Sequence, residues 1–136
     1  MTKGRGHGRS SERCRVAHGL RGVRGRDMDT VSSLFADDIA WHQAGNGPLA
    51  GDLAGKDAVF GTFAQLVQLT AGTFGQEIHD VVANDDHAVA MVEQWWEQPH
   101  PYRGKSVHVW HMTDGIAHAA WLLDQDQPTA DAALTP

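Results

Sequence analysis

The sequence predicts an α+β domain in which two helices come first and an antiparallel meander follows, with the helices on one face of the sheet. Three observations predict it. Apolar residues recur with the 3.6-residue helical period in two stretches before residue 70. From Thr73 onward the period changes to two. Turn signals then separate the alternating runs, Asn84-Asp85-Asp86 first and Asp114-Gly115 last.

Each element follows in order. The stretch from Asp27 to Ala36 places Met28, Val31, Leu34 and Phe35 on one helical face, with Asp27 and Asp29 at the positive end of its dipole. Asp37-Asp38 ends that helix, and Ile39 to Gln43 is a short strand. Gly45, Gly47, Pro48, Gly51 and Gly55 punctuate a long loop. Val59, Phe63, Leu66, Val67 and Leu69 give the second helix, with Gly72 as its stop. Thr73–Ala83, His87–Gln98, Tyr102–Thr113 and Ile116–Leu123 are then four strands. Pro128 and the small residues after it read as a loose tail.

Length, charge and cysteine usage narrow the function classes. A chain of 136 residues fits one domain, and 41% hydrophobic content is enough to build a core. No apolar run approaches the roughly 20 residues of a membrane-spanning helix, so no membrane role is expected. The lone Cys14 excludes an intramolecular disulfide and a cysteine-cage metal site. With no secretory apolar core at the start, the expected compartment is cytoplasmic. Residues 1–26 hold eight Lys/Arg against one acid (+7), and residues 27–136 hold three against sixteen (−13). A body this acidic repels phosphate backbones, so no nucleic-acid partner is expected. Glycines recur among the arginines of residues 1–25, which read as a basic tail or a poorly formed first helix. The organisation expected is that tail, a domain over residues 26–127, and a C-terminal tail over 128–136.

Several short runs, taken together, resemble SnoaL-like domains of the ketosteroid-isomerase-like superfamily. They are Asp27-Met28-Asp29 with Leu34 to His42, Pro48-Leu49-Ala50-Gly51-Asp52 with Gly55-Lys56-Asp57-Ala58-Val59, His79 to His87, and Asp114-Gly115-Ile116 with Trp121. Their order and spacing carry the likeness over about residues 26–127. The resemblance implies a cone, a curved antiparallel sheet of about four long strands plus a short one. The sheet wraps round a pocket, with helices packed on its concave face and a homodimer formed through the sheet. The family includes cyclases, isomerases, epoxide hydrolases and pocket proteins without assigned activity. Two features depart from it. Members begin with a helix where this chain has the glycine-rich His18 to Gly25, a stretch that a start in another reading frame would also explain. Relatives often carry an acid two residues before the last-strand tryptophan, where this chain has Ala119.

Chemistry in such a pocket needs a base and a donor for developing negative charge, and no cofactor. His42, His108 and Asp124 are the candidate catalytic residues. His108 is a base in reach of neutral pH if its strand face lines the pocket, and Asp124 follows the last strand. Trp41, Phe63, Trp95, Trp110, Met112 and Trp121 are the candidate ligand-binding residues, walls for a small apolar molecule. Because Trp41 and His42 are adjacent on a strand, one of them faces inward and the other does not. Strand His87–Gln98 is apolar on both faces, which leaves the pocket face open and calls for a cover on each side. The nine histidines make no metal-ligating helical pair, and no metal is expected. Acid–base chemistry on a small hydrophobic substrate and ligand binding without catalysis are both consistent with these residues.

Overall fold

The computed structural model describes residues 28–136, and the basic segment of residues 1–25 lies outside them. Nine elements follow in order: α1 (Met28–Leu34), β1 (Phe35–Gln43), β2 (Gly51–Ala54), α2 (Lys56–Leu69), β3 (Gly75–Ala83), β4 (His87–Trp96), β5 (Tyr102–Thr113), β6 (Ile116–Asp124) and α3 (Gln127–Leu134). The strands form one curved, unclosed sheet in the order β2-β1-β6-β5-β4-β3. The four long strands from β3 to β6 are the expected antiparallel meander. At its far edge β1 runs parallel to β6, and the rest of the domain serves as the long crossover a parallel neighbour requires.

The last hairpin turns on Asp114 and Gly115, both at positive φ (53° and 76°), as a two-residue primed turn demands. Between β3 and β4 the side chain of Asn84 accepts from the N–H groups of Asp86 and His87, each at 2.8 Å. These local bonds set the register that decides which residues face inward.

Burial settles the parity of the sheet. Ala88, Ala90, Val92 and Trp96 of β4 are buried, as are Ser106, His108, Trp110 and Met112 of β5. On β1 the buried pair is Ile39 and Trp41. Helix α2 lies over this inner face through Val59, Phe60 and Phe63. Helix α3 covers its other end, where Ala130 and Ala133 pack with Trp96, Phe74 and Tyr102.

Three elements differ from the sequence expectation. Helix α1 stops at Leu34, because Phe35 is an anchor of the core and begins β1. Its ring lies 5.9 Å from Trp41 and 5.6 Å from Trp110, and the exposed Asp37-Asp38 pair falls where the β1–β6 register shifts. Residues 51–54, read as loop, form β2 on the outer edge of β1. The stretch after Pro128, read as a loose tail, is helix α3. Proline sits in its first turn, where the missing N–H costs nothing, and Asp126 caps it by accepting from Thr129.

Replacing Phe35 removes a ring that also meets Phe60 at 6.2 Å and Phe63 at 6.4 Å. Phe35→Ala is therefore expected to lower unfolding free energy by about 3–5 kcal/mol. Val82→Ala on the exposed outer face is expected to change it by no more than about 0.5 kcal/mol. Urea denaturation of the two variants checks the contrast.

Candidate functional site

The register of the sheet sorts its inner face into three rows. In the first, Ala88, Trp110, Ala120 and Trp41 lie side by side across β4, β5, β6 and β1. In the second stand Ala90, His108, Leu122 and Gln43. In the third stand Val92, Ser106 and Asp124. Successive rows are two residues apart on β5, so they are separated by about 6.6 Å of strand. The face thus grades from aromatic to polar over a short distance.

Alanine at position 120 lets the indoles of Trp41 and Trp110 meet over it, with ring centroids 5.9 Å apart and near-perpendicular planes. Phe63 descends from α2 to 5.4 Å from Trp41, edge to face. Beside this aromatic cluster lies a cavity of about 90 Å³, lined by Trp41, Phe63, His108, Trp110 and Asp124 among others. That is less than the ~150 Å³ of an apolar cavity that accepts benzene.

His108 occupies the middle row at 5% exposure. Burial without a counter-charge pulls its pKa down to about 4, so its imidazole is neutral throughout the physiological range. Its Nδ1 has no hydrogen-bond partner, and neither do Trp41 Nε1 and Trp110 Nε1. These three atoms are the buried side-chain polar atoms without partners among the described residues.

Asp124 closes β6 at the polar row. Its Oδ1 accepts from Gln94 Nε2, and its Oδ2 accepts from Gln127 Nε2 at 3.3 Å. Burial pushes its pKa up to about 6, and the neighbouring Asp131 carboxylate adds to the rise. Hydrogen bonds from Gln127, Gln94 and Ser106 oppose it. Gln127 also donates to Asp131 at 2.9 Å, while Asp131 accepts from the Asn46 N–H at 2.8 Å. The helix thereby holds the loop after β1 against the polar end of the cavity.

Five of the residues singled out in the sequence converge here, namely His108, Asp124, Trp41, Phe63 and Trp110. Four do not. Trp41 takes the inner position on β1, so His42 faces outward, where its ring stacks on Trp121 at 5.2 Å and its Nδ1 meets Asp52 at 2.9 Å. Trp95 lies on the outer face of β4 beneath the Arg103 guanidinium, 4.6 Å from its ring centroid. Met112 is sealed in the core beyond Trp110 and does not line the cavity. Gln94, Ser106 and Asp131 complete the polar end and escaped the sequence reading. Gln94 was visible as a polar residue on a strand apolar on both faces, and Ser106 lay in the polar start of the next strand; Asp131 was hidden in the supposed tail. Ala119 also proves to share the outward face of Trp121, so an acid at that position would not reach this cavity.

A SnoaL-like domain model matches residues 16–118. The chain belongs to the SnoaL-like domain family. Comparison with curated protein sequences gives no match. Among solved structures, Bal32a from a soil-derived mobile gene cassette superposes with a TM-score of 0.88 at 22% identity, covering 93% of this chain and 98% of its own. An NTF2-like protein of unknown function from Burkholderia pseudomallei gives 0.79 at 18% identity, covering 92% and 98%. An LEH-like epoxide hydrolase from M. tuberculosis gives 0.68 at 18% identity, covering 91% of each chain. These likenesses establish the fold of this SnoaL-like chain. Asp124 and Asp131 lie beyond the stretch that the family model matches. No helix among the described residues is long and apolar enough to cross a membrane. Among those residues, no group of three or more His, Cys, Asp or Glu side chains is placed to hold a metal.

The two titratable groups bend stability in opposite directions. Native His108 resists protonation to about pH 4, whereas the unfolded imidazole takes a proton near its ordinary 6.5. Its contribution is therefore complete above 6.5 and lost as pH falls towards 4. Native Asp124 keeps its proton up to about 6 against an ordinary 3.8, so its contribution is complete below 3.8 and lost as pH rises through 6. Between pH 6.5 and 4.5, His108→Leu is expected to flatten the acid loss of stability, and Asp124→Asn to steepen it. Urea midpoints measured at half-unit pH steps check both signs.

Proposed function

We propose that this SnoaL-like chain carries out cofactor-free acid–base chemistry on a small, largely hydrophobic substrate, with the Asp124 carboxylate taking a proton and later returning it. The observation that carries the reading is a half-buried carboxyl, its pKa raised to about 6, at the polar end of a cavity whose other end is aromatic. Such a group is substantially ionised at pH 7 yet remains a better base than an ordinary aspartate. The Gln94 and Gln127 amides position it, and the Asp131 carboxylate keeps its basicity up. His108, neutral and one row away, serves as a hydrogen-bonding partner to the substrate and not as a charge. One of the structural neighbours is an LEH-like epoxide hydrolase, so an enzyme is found on this fold.

A second reading, ligand binding without catalysis, draws on one observation. Both oxygens of Asp124 are already engaged by amides, as in a structural carboxylate. Proton exchange separates the two. Incubated in D₂O with a panel of small carbon acids (ketones, nitroalkanes, nitriles), the protein is expected to speed loss of the acidic protons, followed by proton NMR. The rate should rise with pH through about 6 and level off, because the carboxylate is the active form. Asp124→Asn should lower it at least about 100-fold. Binding of panel members with no exchange at any pH would leave the binding-only reading standing.

The same proposal places a second copy of this chain on the outer face of the sheet. Helices α2 and α3 both pack on the inner face, and the outer face carries two apolar rows. One row is Val82, Val89, Val109 and Trp121, and the other is Met91, Val107 and Leu123. Val82 is 53% exposed and Leu123 46% exposed, as expected of a surface awaiting a like partner. Sedimentation at micromolar concentration is expected to give twice the 14.8 kDa chain mass. The double variant Val107→Asp, Leu123→Asp should sediment as a folded monomer, and a wild-type monomer would refute the pairing.

A further inference from the structure

We infer that the loop of residues 44–50 is a gate to this cavity, latched onto helix α3 by Asp131, and that Gln127 ties the latch to the Asp124 carboxyl. Asp131 and Gln127 are then positioning residues, and Asp124 is an effective base only while the gate is shut. The inference rests on the reading of Asp124 as the base and adds how that base is controlled.

The room available calls for a wall that moves. A cavity of about 90 Å³ is smaller than the ~150 Å³ that accepts benzene, so even a single six-membered ring displaces part of the lining. The walls differ in how readily they yield. The sheet is a continuous hydrogen-bonded ladder from β1 through β6 and β5 to β4. Helix α2 is held by Phe60 and Phe63, which meet the ring of Phe35, and α3 packs Ala130 and Ala133 against Trp96. The loop carries neither helix nor strand and leaves Gly45, Asn46 and Pro48 exposed, yet it contributes Ala44, Gly47, Leu49 and Ala50 to the lining. Segments with few buried contacts are the ones that open locally.

The loop is tied to the helix at its tip. Ala44 N–H donates to the Leu122 carbonyl at 3.0 Å where the chain leaves β1, and Ala50 N–H turns back to the Gly47 carbonyl at 3.1 Å. Between them, Asn46 N–H donates to Asp131 Oδ2 at 2.8 Å. Gly47 rests on the same residue: a Cβ there would lie 3.0 Å from Asp131 Oδ1 and 3.2 Å from its Cα.

The latch does not end at Asp131. Gln127 Oε1 accepts from Asp124 N–H at 3.0 Å, which turns the amide NH₂ toward the two carboxylates. That NH₂ donates to Asp131 Oδ1 at 2.9 Å and to Asp124 Oδ2 at 3.3 Å. A chain of bonds thus runs from the loop through Asp131 and Gln127 to the base. Without the Asn46 donor, Asp131 turns to water and draws Gln127 with it. The parted loop and helix also admit water to Asp124, whose raised pKa comes first from burial. An open gate leaves a solvated, ordinary carboxylate, and a closed gate leaves a stronger base.

Gly47→Ala tests this, because it pushes the loop off Asp131 without removing a charge. The titratable groups facing Asp124 are Asp131 on α3 and Tyr102 and His108 on β5, and all remain in that variant. Hydrogen exchange of the Asn46 amide reads the gate, and ¹³C NMR titration of the Asp124 carboxyl reads the base. Asn46 exchange is expected to quicken at least about tenfold in Gly47→Ala and in Asp131→Ala. In Gly47→Ala the Asp124 midpoint should fall from about 6 towards 3.8, by about half a unit or more. Faster Asn46 exchange with an unmoved Asp124 midpoint marks the loop as a wall only and overturns the inference. Unchanged Asn46 exchange in either variant overturns it as well. Neither measurement uses a substrate, so failure of proton exchange on the carbon acids leaves the gate standing, and failure of the gate leaves that chemistry standing.

Discussion

The contact on which the rest of the domain depends is that of Trp41 with Trp110 across Ala120. These residues belong to β1, β5 and β6, and the two indoles meet because the strand between them offers only a methyl group. That contact fixes the register of the parallel β1–β6 pair. It also presents a continuous aromatic floor to Phe35, Phe60 and Phe63, and so tells helix α2 where to lie. Because strand side chains alternate, an inward Trp41 forces His42 outward, and Trp121 must follow it to the same outer face. One choice of side thus decides the membership of the core, the walls of the cavity and the composition of the outer surface.

The cavity inherits its gradient from the same alternation. Along β5, the inner positions Trp110, His108 and Ser106 step from aromatic to imidazole to hydroxyl. The aromatic end supplies burial, and burial moves both titratable groups toward their neutral forms. His108 loses affinity for a proton and Asp124 gains it. At pH 7 the pair is therefore a neutral imidazole and a carboxylate that regains its proton readily, a division of roles set by environment. The order of these pKa values is the reverse of their order in water.

Much of this was legible in the sequence, and the rest was not for identifiable reasons. The four long strands carried unbroken alternation, and Asp114-Gly115 marked a turn whose positive φ angles few other residues adopt. The pocket face was undecidable because Val89, Met91 and Trp95 are as apolar as Ala90, Val92 and Trp96. What differs between them is packing: one set meets α2 and α3 and the other meets no described helix. For Trp41 and His42 the fork was visible but its resolution lay in Trp110, sixty-nine residues away and on another strand. Strand β2 is four residues long and begins with glycine, too short for any period to register. Helix α3 was missed because proline and small residues usually mark a loose end, although proline in a first turn and an aspartate cap are also how a helix begins.

That missed helix has a consequence beyond topology. Asp124 is the last residue of β6, and a carboxylate at a strand end would ordinarily be solvated. It is half-buried because α3 folds back over it, with Ala130, Asp131 and Leu134 in the wall of the cavity. The helix is itself locked to the loop after β1. Asp131 accepts from Asn46 N–H, and Gly45 and Gly47 come so close that added methyl groups would lie 2.3 Å and 3.0 Å from its carboxylate oxygens. Only glycine permits that approach, and at Gly45 the backbone φ of 93° also favours it. The raised pKa of Asp124 thus depends on a chain of contacts running from a glycine loop near the start of the domain to a helix at its end. The family match stops at residue 118, so Asp124 and the helix that covers it both lie beyond it. The environment of the Asp124 carboxyl is set by the residues that close over it.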